Sequence, residues 1–240
     1  MTTTTNLPEC WQDFHDVLAS GLKRVILFGP PGTGKTYGGL NIGDVTAGSH
    51  RLICSEEMTT ADVTGHFKPS ADGSWKWQDG AAIKAWNGDG IKGGRLVADE
   101  IDKASGDVSS TLLAMLDSDG SASFEHPETG RIIRPREGFS CVMTTNIEDV
   151  RELPTALKDR FPVAIRINTP HPDALLCLPA DLRAPAASSA DADRDRRFSI
   201  RTFMAFANLR DNLGAERAAK LTFGKHYKSI LDAILVNGVA

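Results

Sequence analysis

The amino-acid sequence predicts an α/β fold, an αβα sandwich on a parallel five-stranded sheet, followed by a small C-terminal all-α domain. Five short and mostly apolar runs have the length and composition of buried strands. Segments with apolar residues at helical spacing lie between several of these runs. Strands that alternate with helices favour a parallel sheet covered on both faces. After residue 169 no strong strand pattern follows, while helical patterns continue.

The elements follow in chain order. Apolar residues from Leu7 to Leu18 recur at helical spacing and predict an amphipathic helix before the first strand. A second stripe, from Val108 to Leu116, predicts a helix that Ser105 or Asp107 could cap. The predicted strands are residues 25–28, 51–54, 95–99, 139–144 and 163–167.

Two segments have the pattern of β-hairpins inserted into this scaffold, at about residues 66–78 and 122–135. We therefore predict a first domain over residues 1–169 that includes both inserts, and a helical domain over residues 170–240. In the second domain, residues 181–197 are rich in Ala, Ser, Asp and Arg and predict an exposed or mobile connection.

Composition sets limits on the class of protein. The chain has 240 residues and a net charge of −4, with an isoelectric point near 5.9. This mildly acidic balance argues against non-specific nucleic-acid binding as the main activity. No apolar run approaches the ~20 residues that cross a bilayer, and the N-terminus lacks the features of a secretory signal. We therefore expect a cytoplasmic protein without a membrane association, with Cys54 and Cys141 as small, reduced core residues.

The most specific motif follows the first predicted strand. It reads G-x-x-x-x-G-K-T and consists of Gly29, Pro30, Pro31, Gly32, Thr33, Gly34, Lys35 and Thr36. Glycines let successive backbone N–H groups turn toward one anion. Lys35 supplies charge for the β- and γ-phosphates, and the Thr36 hydroxyl is a natural Mg²⁺ ligand. The motif predicts a nucleotide-binding phosphate loop.

Two further strand ends carry polar residues suited to the same site. The run Leu96–Ala98 ends in Asp99 and Glu100. Asp99 would orient Mg²⁺ and Glu100 would polarise the water that attacks the γ-phosphate. Asn146 follows the strand at 139–144, and in a parallel sheet that end lies on the same edge as the phosphate loop. We expect the Asn146 amide to hold the attacking water or to contact the γ-phosphate.

The three motifs, in this order, resemble those of an AAA+ ATPase, and the similarity is greatest to the MoxR-like branch, which also resembles metal-chelatase ATPase subunits and dynein-type modules. The similarity spans roughly residues 22–210 and is carried by the stretches 62–65, 77–82, 96–101, 124–131 and 156–161. It implies a P-loop NTPase core with a helical lid, ATP and Mg²⁺ as cofactors, and assembly into a homo-oligomeric ring, usually a hexamer. The two hairpins would be the helix-2 insert and the pre-sensor-1 insert, which face the axis of such rings.

The resemblance also assigns arginines. Arg160 matches the arginine finger that acts on the nucleotide of a neighbouring subunit, although a surface arginine paired with Asp159 or Glu152 is the alternative. Arg201 matches the sensor-2 arginine of the lid, and its alternative is a first-turn helix residue that faces water. Arg151 is a second candidate for an intersubunit contact.

The resulting hypothesis is a MoxR-like chaperone that couples ATP hydrolysis to remodelling of a partner protein. The resemblance implies a client or adaptor, in related systems often one with a von Willebrand A-type domain. The segment after Pro170 is short for a MoxR lid. The tryptophans Trp75, Trp77 and Trp86 could grip a polypeptide or could fasten the first hairpin to the core.

The sequence leaves other functions open. One alternative is the NTPase subunit of a restriction or phage DNA-handling complex, with GTP in place of ATP, whose channel would be lined by Lys68, Lys76, Lys84, Lys92 and Arg95. A switch that binds ATP without hydrolysis would need neither Glu100 nor Arg160. A nucleoside kinase is the weakest alternative, because the sequence shows no second substrate pocket.

Overall fold

The computed structural model describes residues 7–118, 120–190, 192 and 196–237. The contacts between residues divide the chain into two compact units. The α/β unit comprises residues 13–29 and 35–166, and the helical unit comprises residues 30–34 and 167–240 together with the N-terminal residues up to Gln12. The sequence placed one boundary at residue 169. The structure groups part of the phosphate loop and the start of the chain with the helices.

The central sheet of the α/β unit has five parallel strands, in the order β2 (Ser49–Ile53), β5 (Arg95–Asp99), β8 (Ser140–Thr144), β1 (Arg24–Phe28) and β9 (Val163–Arg166). This confirms the predicted fold class. Each strand is short, and the central strand β8 and its neighbour β5 are almost fully buried, as expected for a parallel sheet covered on both faces. The strands of the described chain are β1 (Arg24–Phe28), β2 (Ser49–Ile53), β3 (Gly65–Pro69), β4 (Trp75–Asp79), β5 (Arg95–Asp99), β6 (Phe124–Glu125), β7 (Ile132–Ile133), β8 (Ser140–Thr144) and β9 (Val163–Arg166).

Helices connect and cover the strands. The predicted amphipathic helix before β1 is α1 (Glu9–Ala19), and the predicted stripe near Val108 lies in α5 (Gly106–Met115), where Ser105 occupies the N-cap position. The α-helices of the described residues are α1 (Glu9–Ala19), α2 (Lys35–Asn41), α3 (Thr60–Thr64), α4 (Ala81–Asn87), α5 (Gly106–Met115), α6 (Thr155–Arg160), α7 (Pro172–Leu176), α8 (Ala180–Ala190), α9 (Ile200–Leu213), α10 (Ala215–Phe223) and α11 (Tyr227–Asn237). Among the described residues, no helix has the length and apolar character that crossing a membrane requires.

The core of the α/β unit lies on the sheet and includes Leu96, Met143 and Leu112, all fully buried. Cys54 and Cys141 belong to the same core, as predicted. Burial raises the pKa of the Cys54 thiol to about 12, so this side chain behaves as a small apolar group. Trp86 of α4 is also fully buried in this core. It therefore does not belong to an exposed gripping surface.

Both predicted hairpins are present. β3 pairs with β4 in antiparallel register, with Phe67 opposite Trp77 and Lys68 opposite Lys76. The second hairpin is shorter, with Phe124 of β6 opposite Ile133 of β7. The hairpins contact each other, because the Trp77 ring lies 6.3 Å from the Phe124 ring and 5.8 Å from the His126 ring. Trp75 has no such cover and is 64% exposed.

In the helical unit, the structure contradicts one prediction made from the sequence. Residues 181–197 were expected to form an exposed connection, but residues up to Ala190 belong to α8, which buries Leu182 and Ala186. Residues 191 and 193–195 lie outside the described residues. The helix is stabilised because Arg210 of α9 donates to Asp181, with Nη2 to Oδ1 at 3.2 Å. Because most of this segment is polar, its few apolar residues did not indicate a buried helix. They are buried only because α9 packs beside α8.

Candidate functional site

The phosphate loop connects β1 to α2. Its three glycines, Gly29, Gly32 and Gly34, have φ of 120°, 78° and 98°, a region in which residues with a Cβ are disfavoured. The Thr33 side chain is buried and donates to the Pro30 carbonyl at 3.1 Å. The loop therefore has an internally bonded, glycine-dependent backbone, as the motif predicted.

Within the helical unit, the loop approaches the start of α9. A Cβ built on Gly32 would overlap Cβ of Ser199 and would lie 3.1 Å from its Cα. Ser199 is the N-cap residue of α9, and its side chain accepts from the Thr202 amide at 3.3 Å. The His171 amide donates to the Thr33 carbonyl at 3.3 Å. Glycine is thus required at position 32 for space as well as for conformation.

Within the α/β unit, the end of the loop contacts the strand that carries the predicted sensor. Lys35 donates from Nζ to the Asn146 side-chain oxygen at 3.0 Å and to the Gly29 carbonyl at 2.8 Å. β8 lies directly beside β1, so Asn146 leaves the sheet next to the point where the loop begins. The structure therefore brings together Lys35 and Asn146, as the parallel sheet predicted.

Asp99 lies at the end of β5 and accepts hydrogen bonds from three side chains. Its Oδ1 accepts from the Thr36 hydroxyl at 2.8 Å and from the Thr144 hydroxyl. Its Oδ2 accepts from Arg51, with Nε at 3.0 Å and Nη2 also in contact. The hydroxyl and carboxylate predicted to hold Mg²⁺ are thus within hydrogen-bonding distance of each other. Oxygen donors of this kind are those that Mg²⁺ prefers, so these residues fit the ion.

The environment perturbs both charged groups of this cluster. Burial lowers the pKa of Lys35 to about 8, although Asp99 and neighbouring carboxylates oppose this shift. Burial raises the pKa of Asp99, but the hydrogen bonds from Thr144, Arg51 and Thr36 outweigh it and place the pKa below its usual value. Asp99 is therefore ionised at neutral pH and suited to bind a cation.

Glu100 has the one positive φ among the described non-glycine residues, with φ 59° and ψ 45° in the left-handed region. Its amide donates to the Thr144 hydroxyl at 3.4 Å, and its carboxylate pairs with Lys103 at 2.6 Å. Backbone strain of this kind persists where the surroundings enforce it, and it is concentrated at functional sites. The left-handed conformation turns the chain sharply after Asp99. The residue that adopts it, Glu100, is the predicted catalytic base.

The predicted arginines lie at separate places. Arg160, at the end of α6, is partly exposed; its Nη1 donates to the Ala156 carbonyl at 3.2 Å, and Nη2 lies 3.9 Å from Asp117. Its acidic neighbour is therefore Asp117 rather than Asp159 or Glu152. Arg151 is exposed and paired with Asp149. Arg201 is exposed in the first turn of α9, in the helical unit. The roles assigned to these residues stay predictions.

Sequence reasoning missed two residues of the site, Arg51 and Lys103. Lys103 could have been found from its i+3 spacing to Glu100. Arg51 could not, because its contact with Asp99 depends on β2 lying beside β5. In the observed register Arg51 faces Val97, so Asp99 is two residues further on the same face of the sheet and within reach of a long side chain.

A comparison with protein-family models decides the family. The model of the AAA domain of the dynein-related subfamily matches residues 24–161, more than half of the chain. The chain belongs to this AAA family. The phosphate loop and the ends of β5 and β8 lie inside the matched region.

Other comparisons are less informative about this AAA domain. No curated protein matches the chain. A solved structure of a protein from Cytophaga hutchinsonii, named as a candidate ATPase, matches with 19% sequence identity and a TM-score of 0.43. The match covers 64% of the present chain and 44% of that protein.

Proposed function

We propose that this chain is a MoxR-like AAA+ ATPase that hydrolyses ATP with Mg²⁺ in a homo-oligomeric ring and uses the hydrolysis to remodel a partner protein. The observation that carries the catalytic part is the cluster at the carboxyl ends of β5 and β8. It joins Lys35 to Asn146 and Thr36 to Asp99, with Glu100 held in a strained conformation beside them. The ring, the partner and the cytoplasmic location rest on the resemblance and the sequence.

Each residue of the cluster has a proposed role. Residues 32–34 would supply backbone N–H groups to the phosphates, and the Lys35 ammonium would neutralise their charge. Thr36 and Asp99 would hold Mg²⁺, which when bound neutralises charge that develops on the phosphates. Glu100 would accept a proton from the attacking water. Asn146 would report the γ-phosphate through the same atom that accepts from Lys35.

We assign Arg160 the role of the finger that acts on the neighbouring subunit. Its side chain is 28% exposed and its contact with Asp117 is weak at 3.9 Å, so the guanidinium can turn outward once the hydrogen bond from Nη1 to the Ala156 carbonyl breaks. A guanidinium suits this role because it is permanently charged and can contact two oxygens. Arg201 is proposed as sensor 2 on the basis of its place in the first turn of α9.

The first hairpin is proposed to contact the client. Its apolar face presents Trp75 and Phe67, which are 64% and 42% exposed, while Trp77 on the same face packs against the second hairpin. The second hairpin therefore supports the first, and Trp75 extends beyond that support. Exposed aromatic side chains of this kind are typical anchors of protein contacts.

Steady-state ATP hydrolysis against protein concentration tests this proposal. Wild-type specific activity should rise with concentration, because each site would need a residue from its neighbour. Glu100→Gln should bind ATP without turnover, and Arg160→Ala should bind ATP with turnover reduced by about 10³-fold or more. Arg217→Ala is the matched control, because Arg217 is an exposed arginine of α10.

The outcomes separate the parts of the proposal. Wild-type turnover by Glu100→Gln would show that the catalytic assignment is wrong. Concentration-independent activity that survives Arg160→Ala would exclude the shared site and leave a self-contained hydrolase. Faster hydrolysis of GTP than of ATP would make GTP the substrate and would leave the proposed roles of the residues unchanged.

One observation favours a second candidate, an NTPase of a nucleic-acid-handling complex. Lys68 and Lys76 are paired across the hairpin, so the face opposite the aromatic face of Trp75 is cationic. Aromatic and cationic groups together can bind single strands by stacking and charge. Fluorescence anisotropy with a labelled single-stranded oligonucleotide at several salt concentrations tests this. Salt-dependent binding lost in Lys68→Gln/Lys76→Gln and in Trp75→Ala would favour it over protein remodelling.

A further inference from the structure

Arg51 lies in β2, the edge strand of the sheet, and makes a two-point contact with Asp99 of the neighbouring strand. Its Nε is 3.0 Å from Oδ2 of Asp99, and its Nη2 contacts the same oxygen. The other carboxylate oxygen accepts from the hydroxyls of Thr36 and Thr144. The two oxygens of Asp99 therefore have different partners, hydroxyls on one side and a guanidinium on the other.

The charge of Asp99 requires a counter-charge. Asp99 is only 5% exposed, and a buried carboxylate is costly unless it is paired and hydrogen-bonded. Glu100 and Asp102 lie within three residues of it in the chain and add negative charge to the same region. Arg51 offsets part of this charge by direct contact. Its own side chain is 45% exposed, so the guanidinium can leave the carboxylate for water.

We propose that Arg51 is a positioning residue that acts as a counter-ion on Asp99 and competes with Mg²⁺ for its carboxylate. The inference rests on the proposed function, which assigns Asp99 and Thr36 to the metal. In the absence of Mg²⁺ the guanidinium neutralises Asp99 and fixes its orientation. When the metal is bound, the guanidinium and the ion repel each other and the Arg51 contact weakens. The residue thereby sets the Mg²⁺ concentration at which the site fills.

The test measures metal binding rather than turnover. The melting temperature of the whole chain is followed while MgCl₂ is added at a fixed, saturating concentration of β,γ-imido-ATP, a nucleotide that is not hydrolysed. The affinity for the same nucleotide without Mg²⁺ is measured separately by isothermal titration calorimetry. The variants are Arg51→Gln, Arg51→Lys and the control Arg217→Gln.

The counter-ion role predicts a different result for each variant. In Arg51→Gln the half-saturating Mg²⁺ concentration should fall about tenfold, because the competing cation is gone. Without metal this variant should melt several degrees below wild type, since buried Asp99 has lost its counter-charge. Arg51→Lys keeps the charge without the two-point geometry and should shift the Mg²⁺ midpoint by only about two- to threefold. Arg217→Gln should match wild type in both measurements.

Several results would overturn the inference. An unchanged Mg²⁺ midpoint in Arg51→Gln would show that the guanidinium does not compete with the metal. A loss of Mg²⁺-free nucleotide affinity of more than tenfold would instead make Arg51 a phosphate ligand. If Arg51→Gln does not fold, Arg51→Lys decides, and a midpoint equal to that of wild type refutes the role. Failure of wild type itself to bind nucleotide and Mg²⁺ would refute the proposed function, whereas normal wild-type binding with an unshifted variant refutes this inference alone.

Discussion

Replacing Gly32 by alanine tests the close approach of the phosphate loop to the start of α9. Both residues of this contact, Gly32 and Ser199, belong to the helical unit. The substitution adds a single methyl group at a residue whose φ is 78°. The added Cβ would overlap Cβ of Ser199 and lie 3.1 Å from its Cα.

The expected cost has two parts. An alanine at this φ costs about 1–2 kcal/mol, because the left-handed region brings Cβ near the following carbonyl. Overpacking against Ser199 costs a further ~1–3 kcal/mol, because Cα and Cβ of Ser199 are fixed by the backbone and cannot turn away. We therefore expect Gly32→Ala to destabilise the helical unit by about 2–5 kcal/mol and to weaken nucleotide binding as well.

Two further variants separate these parts. Gly21 has φ 82° and no atom within 4 Å of a built Cβ, so Gly21→Ala should show the conformational cost without the clash. Ser199→Gly removes the overlapping Cβ at a cost of a few tenths of a kcal/mol, since glycine is tolerated at an N-cap. In the double variant Gly32→Ala/Ser199→Gly, the cost of the alanine should fall by about 1–2 kcal/mol. Amide hydrogen exchange measures each unit separately, and 1.4 kcal/mol corresponds to about tenfold in exchange rate.

Gly32→Ala must cost more than Gly21→Ala, and Ser199→Gly must recover part of that cost. If Gly32→Ala costs no more than Gly21→Ala, there is no steric clash at Ser199. If Ser199→Gly gives no rescue, the strain arises from another neighbour. Either result would refute the argument that position 32 requires glycine for space.

Further predictions concern Lys35 and the tryptophans. Because the pKa of Lys35 is lowered to about 8, its ammonium is partly deprotonated in the free protein at pH 7–8, and phosphate binding should restore the charge. Calorimetry of ADP binding in buffers of different ionisation enthalpy should detect uptake of about half a proton at pH 8 and about a tenth at pH 7; no pH-dependent uptake would contradict the lowered pKa. The same shift makes the unfolded chain bind more protons between about pH 8 and pH 10.5, so Lys35 should contribute stability that rises with pH across this window. Trp86→Ala should destabilise the α/β unit by about 3–5 kcal/mol, because the ring is fully buried, whereas Trp75→Ala should change stability by less than about 0.5 kcal/mol. Urea denaturation checks both tryptophans, and equal effects would contradict the division between a core and an exposed residue.

Local patterns were sufficient for much of the fold. The strands β1, β5 and β8 were predicted within about a residue, because short apolar runs next to turn residues encode buried strands directly. The first hairpin was predicted at about residues 66–78, where Asp72 and Gly73 have the residue types of a tight turn. The helix that begins at Ala180 was not predicted, because the segment has few apolar residues and the helix depends on packing and on the Arg210–Asp181 contact. Composition over such a short window does not record a partner in another helix.

The amino-acid sequence by itself determined the phosphate loop, the acidic end of β5 and the amide after β8, because each of these is a run of neighbouring residues with its own chemistry. Only the tertiary structure decided which of them touch. The strand order placed β8 between β5 and β1, which joined Lys35 to Asn146 and Thr144 to Asp99. The same order placed β2 beside β5 and gave Asp99 its counter-ion, Arg51, from a residue 48 positions away. Contacts over such separations depend on register and burial, which no local pattern contains.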